Sequence, residues 1–100
     1  MTERIVVQIS KDLEVLIPRY LERRHKEVET FRRQLAESDF EALRVSGHSL
    51  KGSGGGYGFP LLTKIGAAIE VAAKAKDVAA IEAALKDYAD YVPRVDVVYV

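Results

Sequence analysis

The chain has 100 residues, 48% hydrophobic and 30% charged, and its fifteen basic side chains are balanced by fifteen acidic ones. That length holds one domain around one core, and the charge balance gives no sign of nucleic-acid binding. With no cysteine, disulfides, thiol catalysis and cysteine-based zinc sites are excluded. The N-terminus lacks a basic region followed by an apolar run, and no apolar stretch approaches the roughly 18 residues of a membrane span. A soluble, cytoplasmic protein is the default expectation. The chain is expected to form a single domain over 1–100 with a helical core over about 11–92, and Met1 with a strand at each end favours a free-standing one.

Residues 3–9, ERIVVQI, are rich in β-branched side chains and predict a short strand. Ser10 can cap a first helical piece carrying Leu13, Leu16 and Ile17. Pro18 lacks the amide hydrogen that an uninterrupted helix would use, so a kink or restart is expected there. From about 18 to 37, Leu21, Val28, Phe31 and Leu35 follow helical spacing and define one buried stripe. Arg23, Arg24, Lys26, Arg32 and Arg33 fall on other faces and are expected in solvent. A second helix starts after SDFE, where Ser38 and Glu41 have capping-box spacing. Its inner stripe is Leu43, Gly47, Leu50, Gly54 and Tyr57. Phe59 and Pro60 open a third helix with Leu62, Ile65, Ile69, Ala72 and Ala73 inside. Asp77 caps a fourth, with Val78, Ile81, Leu85, Tyr88 and Val92 inside and an end near Pro93. Residues 94–100, RVDVVYV, predict a second strand with Val95, Val97 and Tyr99 on one face. The two strands can pair within the chain or between two copies. Four amphipathic helices with short connections predict an all-α, antiparallel up-down four-helix bundle.

The segment 47–58, GHSLKGSGGGYG, carries the chemistry. Five of the seven residues from 52 to 58 are glycine, and each costs about 1 kcal/mol in a helix interior relative to alanine. Composition alone therefore reads as a loop. Yet Leu43, Leu50 and Tyr57 keep helical spacing through it, and packing from neighbouring helices can hold such a helix together. If it is helical, His48, Lys51, Gly52 and Gly55 fall within a wedge of about 100°, with Leu50 roughly opposite. The imidazole then faces outwards, beside a cation and above a strip without side chains that lets another backbone approach. A neutral ring nitrogen is a nucleophile, and phosphoryl transfer to it needs mainly positioning and charge stabilisation. Lys51, one turn along, can offset the charge of arriving phosphoryl oxygens. The other histidine, His25, stands alone among charged residues and is expected at the surface, so no metal site is expected.

HSLKGSGGGYG resembles the signature of the histidine-containing phosphotransfer (HPt) domain family, a His followed by x-x-Lys-Gly and, after five more residues, another Gly. His48, Lys51, Gly52 and Gly58 fill those places, and Ser53, Gly55 and Leu62 also match common choices. The resemblance extends over about residues 11–92. It implies a phosphorelay protein of a two-component system that accepts a phosphoryl group on His48 Nε2 from a receiver-domain aspartyl phosphate or a histidine kinase. It also implies that the group passes on to another receiver. Such a carrier has no ATPase activity and no cofactor of its own, Mg²⁺ being expected on the partner receiver. By position, Glu70 matches a residue that orients the imidazole through Nδ1, and Lys74 a basic residue one turn later. Glu70 and Lys74 also have the i, i+4 spacing of an ordinary surface ion pair. Gly52, Gly55 and Ser49 are expected to form the receiver-docking strip. The chain departs from the pattern at Gly54, Gly56 and Phe59, which favours a helix that is looser or ends sooner than in relatives.

Rival readings are weaker. A P-loop needs lysine where Ser53 stands, and no G-x-G-x-x-G occurs. Ser49 and Ser53 near His48 do not make a hydrolase pair, because neighbouring positions on one helix point in different directions. The remaining alternative is a helical adaptor, or a homodimer through the terminal strands, with His48 incidental. No nucleic-acid or membrane partner is expected.

Overall fold

The computed structural model describes residues 3–100. Four helices, α1 (Ile17–Ala36), α2 (Phe40–Tyr57), α3 (Pro60–Lys74) and α4 (Val78–Tyr91), form the antiparallel bundle that the apolar spacing predicts. Strands β1 (Ile5–Ile9) and β2 (Val95–Tyr99) pair in parallel within the chain, with Ile5 opposite Val95 and Ile9 opposite Tyr99. Parallel strands need a long crossover, and here the whole bundle supplies it. The inward faces of the strands alternate as expected: Val95 is buried, Val97 and Tyr99 half-buried, Asp96 and Val98 exposed.

The ends of each element follow from local chemistry. Ser10 accepts a hydrogen bond from the Asp12 amide and starts a single 3₁₀ turn at Lys11–Leu13, not a longer helix. Pro18 then sits in the first turn of α1, where a missing donor costs little. The cap of α2 is Asp39, whose Oδ1 accepts from the Ala42 amide at 3.1 Å. Ser38 does not cap; its φ of 54° turns it away from the helix start, so the capping-box expectation is corrected by one residue. Asp77 caps α4 in the same way, through the Ala80 amide. α2 runs as helix through the glycine run to Tyr57, so the loop that composition alone suggests is not found. It stops where Gly58 adopts a left-handed φ of 90°, and the Phe59 amide returns to the Gly54 carbonyl at 2.7 Å.

Phe31, Leu43, Leu50, Phe59, Leu62, Ile69, Ile81 and Tyr88 form the fully buried centre. Two expectations about the core need correction. Val78, counted inside, is 43% exposed because it lies at the first position of α4, beyond the layer of packed side chains. Arg24, expected in solvent, is largely buried: its side chain is 13% exposed, with the guanidinium 4.6 Å from the Tyr20 ring centroid and Nη1 donating to Ser53 Oγ at 3.2 Å. Tyr20 stacks on Tyr57 and Phe59 and shares a 3.0 Å hydrogen bond with Ser53, tying α1 to the glycine-rich end of α2.

The glycines of α2 divide into two kinds. A Cβ on Gly54 would lie 2.7 Å from the Thr63 amide nitrogen, whereas one on Gly56 would meet nothing within 4 Å. Gly54→Ala is therefore expected to destabilise by about 1–3 kcal/mol through overpacking. Gly56→Ala should stabilise by about 0.5–1 kcal/mol by favouring helix. Urea denaturation of the two variants checks the contrast; equal effects would mean that α2 and α3 are not held at this separation.

Candidate functional site

The site lies where α2 crosses α3. Gly66 of α3 sits against the backbone of Lys51 and the carbonyl of Gly47, and a Cβ on Gly47 would lie 2.8 Å from the Glu70 amide. With no side chain on either helix at this crossing, the two backbones come close together. Thr63 Oγ1 adds a hydrogen bond across the gap to the Lys51 carbonyl at 3.1 Å. That closeness lets a short-reaching pair form between the helices.

The pair is His48 and Glu70. His48 Nδ1 is 2.9 Å from Glu70 Oε2, and Lys51 Nζ donates to Glu70 Oε1 at 2.9 Å. The imidazole projects outwards, with its side chain 65% exposed, while the Glu70 side chain is 11% exposed beneath it. The hydrogen bond from Lys51 holds the Glu70 carboxyl below its usual range; burial opposes this, and the hydrogen bond from His48 adds to it. An ionised carboxylate only accepts hydrogen bonds. Nδ1 must then carry a proton, and the neutral tautomer that fits this contact has its lone pair on the outward-facing Nε2. Lys51 keeps further ammonium hydrogens free on the same side.

The other candidate residues fall in three places. Ser49 and Gly52 are exposed beside His48, and Gly52 has open space where a side chain would be. Gly55 is exposed but lies against Thr63 Oγ1, 3.4 Å from where its Cβ would be; Gly56, which the spacing argument left out, is open like Gly52. Lys74 is one turn beyond Glu70, exposed, in a cleft shared with Ser38, Glu41, Arg44 and Lys76. The Glu70 carboxylate turns to Lys51 and His48, and among the described residues no ion pair joins it to Lys74. His25 is exposed on α1, as expected. Among the described residues, no group of three or more His, Cys, Asp or Glu could hold a metal ion, and no helix is long and apolar enough to cross a membrane.

A model of the Hpt domain matches residues 15–96. The chain belongs to the Hpt domain family. Membership implies a histidine phosphotransfer role in phosphorelays, as a carrier of the phosphoryl group, and dealings with two-component receiver or kinase proteins. No curated protein and no solved structure matches this Hpt domain.

The depressed pKa of Glu70 sets the direction of a pH effect. A carboxyl whose folded pKa lies below its unfolded value of about 4.3 adds stability that is complete above that value and is lost as pH falls through the folded one. The stability gap between wild type and Glu70→Gln should therefore close as pH falls from about 5 towards 3. Chemical denaturation at a series of pH values measures it, and a gap unchanged at low pH would mean that Glu70 is not held ionised by its partners.

Proposed function

We propose that this Hpt domain accepts a phosphoryl group on His48 Nε2 from the aspartyl phosphate of a receiver domain, or from a histidine kinase, and passes it to another receiver. The observation that carries the reading is the 2.9 Å contact between His48 Nδ1 and Glu70, which orients an otherwise free imidazole with Nε2 outwards. The Nε2 lone pair attacks phosphorus. The Nε2–P bond forms as the bond from phosphorus to the aspartyl oxygen breaks, and the aspartate carboxylate leaves with that electron pair. Nδ1 keeps its proton throughout, so no base is needed. The positive charge that the ring acquires is met by the Glu70 carboxylate. Lys51 stands one turn along to meet the negative charge on the phosphoryl oxygens, and Lys74 is a more distant cation of the same sign. The divalent ion belongs to the receiver's side of the encounter.

The strip of Gly52, Gly55 and Ser49, extended by Gly56, gives a receiver's backbone room to approach within transfer distance. A glycine strip beside a nucleophile serves this reading better than a passive adaptor, which has no use for an oriented imidazole.

The deciding experiment presents the purified domain to pre-phosphorylated receivers with Mg²⁺. A phosphoryl group should appear on the wild type, labile in acid and stable in alkali, and be absent from His48→Gln. Failure with a proven cognate receiver would transfer support to the adaptor reading. In rapid-quench kinetics, Lys51→Ala should slow transfer about tenfold, the loss of one charge-assisted contact in the transition state. The variant should still fold, with a melting temperature somewhat lowered by loss of the bond to Glu70; unchanged transfer would remove Lys51 from its assigned role. Gly52→Trp should weaken receiver binding, measured calorimetrically, with little effect on thermal stability, because its Cβ meets open space.

A further inference from the structure

The phosphohistidine carries two charges into a region where Lys51 is already bound to Glu70. A second cation stands on the same helix face. Arg44 is one turn before His48 on α2, and residues four apart on a helix have Cβ atoms about 5–6 Å apart. Helical side chains lean towards the N-terminus, so the imidazole of His48 inclines over the turn that holds Arg44. The guanidinium of Arg44 is at present engaged by Glu41: Nε donates to Oε2 at 3.0 Å and Nη2 to Oε1 at 2.5 Å. Glu41 is 73% exposed, and an exposed pair three residues apart on a helix is a weak tether that salt and entropy loosen readily. A phosphoryl dianion offers the same fork-shaped donor a partner of higher charge and matching geometry.

We propose that Arg44 is a second phosphoryl-binding residue, parked on Glu41 in the unmodified domain and turning to the phosphoryl oxygens when His48 is phosphorylated. This rests on the carrier reading of His48. Glu41 is then a competitor that holds the cation until the phosphoryl group arrives. The result is a site clamped from both sides along α2, by Lys51 from the following turn and Arg44 from the preceding one. The charged groups around the phosphoryl group are Glu41, Arg44 and Lys51 on α2, with Glu70 and Lys74 on α3.

The test needs no partner protein. Phosphoramidate phosphorylates histidine directly: ammonia leaves with the electron pair of the broken P–N bond, and Nε2 supplies the pair for the new one. His48→Gln identifies any signal from His25. The second ionisation of the phosphoryl group on His48 is then followed by ³¹P NMR against pH, because a nearby cation favours the dianion and lowers the midpoint. Arg44→Gln should raise the midpoint by about half a pH unit, as expected for a single charge a few ångströms away in a solvent-exposed setting. Glu41→Gln should lower it, and that effect should largely vanish in the Arg44→Gln background. Arg44→Lys should restore part of the wild-type value, which a merely structural role would not do. Thermal melts of all variants report whether the fold is intact. An unchanged midpoint in Arg44→Gln, or an equal effect of Glu41→Gln with and without Arg44, overturns the switch while leaving the carrier reading standing. No phosphoryl signal at His48 at all would overturn the carrier reading, and this inference with it.

Discussion

The close contact of α2 with α3 is the constraint on which the site depends. Gly66 against the Lys51 backbone, and Gly47 against the Glu70 amide, leave no room for a single methyl group between the helices. At an ordinary interhelical distance of 8–10 Å, a glutamate rooted on α3 would have to stretch to reach an imidazole on the outer face of α2. Here the carboxylate lies directly beneath the ring and binds Lys51 with its other oxygen. Helix separation, ring orientation and the ionisation of Glu70 are thus consequences of the same missing side chains.

Much of this was legible in the sequence where a side chain's role depends on spacing alone. The stripes Leu43–Gly47–Leu50–Gly54 and Leu62–Ile65–Ile69 are buried as the period required, and the two strands show their alternation. Less legible was anything that depends on the choice between neighbours. Ser38 and Asp39 are both good capping residues, and only the left-handed turn at Ser38 decides between them. Tyr20 and Arg24 extend the α1 stripe of Ile17, Val28 and Phe31 at spacings of three and four, but their polar ends disguise the pattern. The different duties of the glycines were also hidden. Gly47 and Gly54 serve contact with α3, and Gly52 and Gly56 leave the outer face bare, a division that depends on where α3 lies.

The remaining polar interior braces the helix that carries the histidine. Ser53, five residues beyond His48, holds Tyr20 and Arg24 of α1. Arg24 Nε lies 3.5 Å from Glu27, which in turn accepts a 2.7 Å hydrogen bond from the Tyr88 hydroxyl of α4. Burial, with Glu27 beside it, pushes the Tyr88 hydroxyl far above its ordinary pKa, so it remains a donor throughout the neutral range. A glycine-rich helix with little intrinsic preference for its own conformation is thereby fixed by three neighbours: α3 through backbone contact, and α1 and, through it, α4 by polar side chains. The bare outer face is thereby held as helix despite its lack of side chains.

The parallel pairing of β1 and β2 has a mechanical meaning. The chain enters β1 at Ile5 and leaves β2 at Tyr99, and Ile5 lies opposite Val95 while Ile9 lies opposite Tyr99. The two exits are therefore at opposite ends of the ribbon. Tension between them slides the strands along one another, so the hydrogen bonds share the load in shear and cannot be peeled apart one at a time. The same ribbon is continued by the Lys11 amide on the Val100 carbonyl and the Val100 amide on the Ile9 carbonyl, which adds rungs at the end where α1 begins. A pull on either end is thus borne by the ribbon before it reaches the bundle, and the spacing of α2 and α3 beneath His48 is shielded from strain transmitted along the chain.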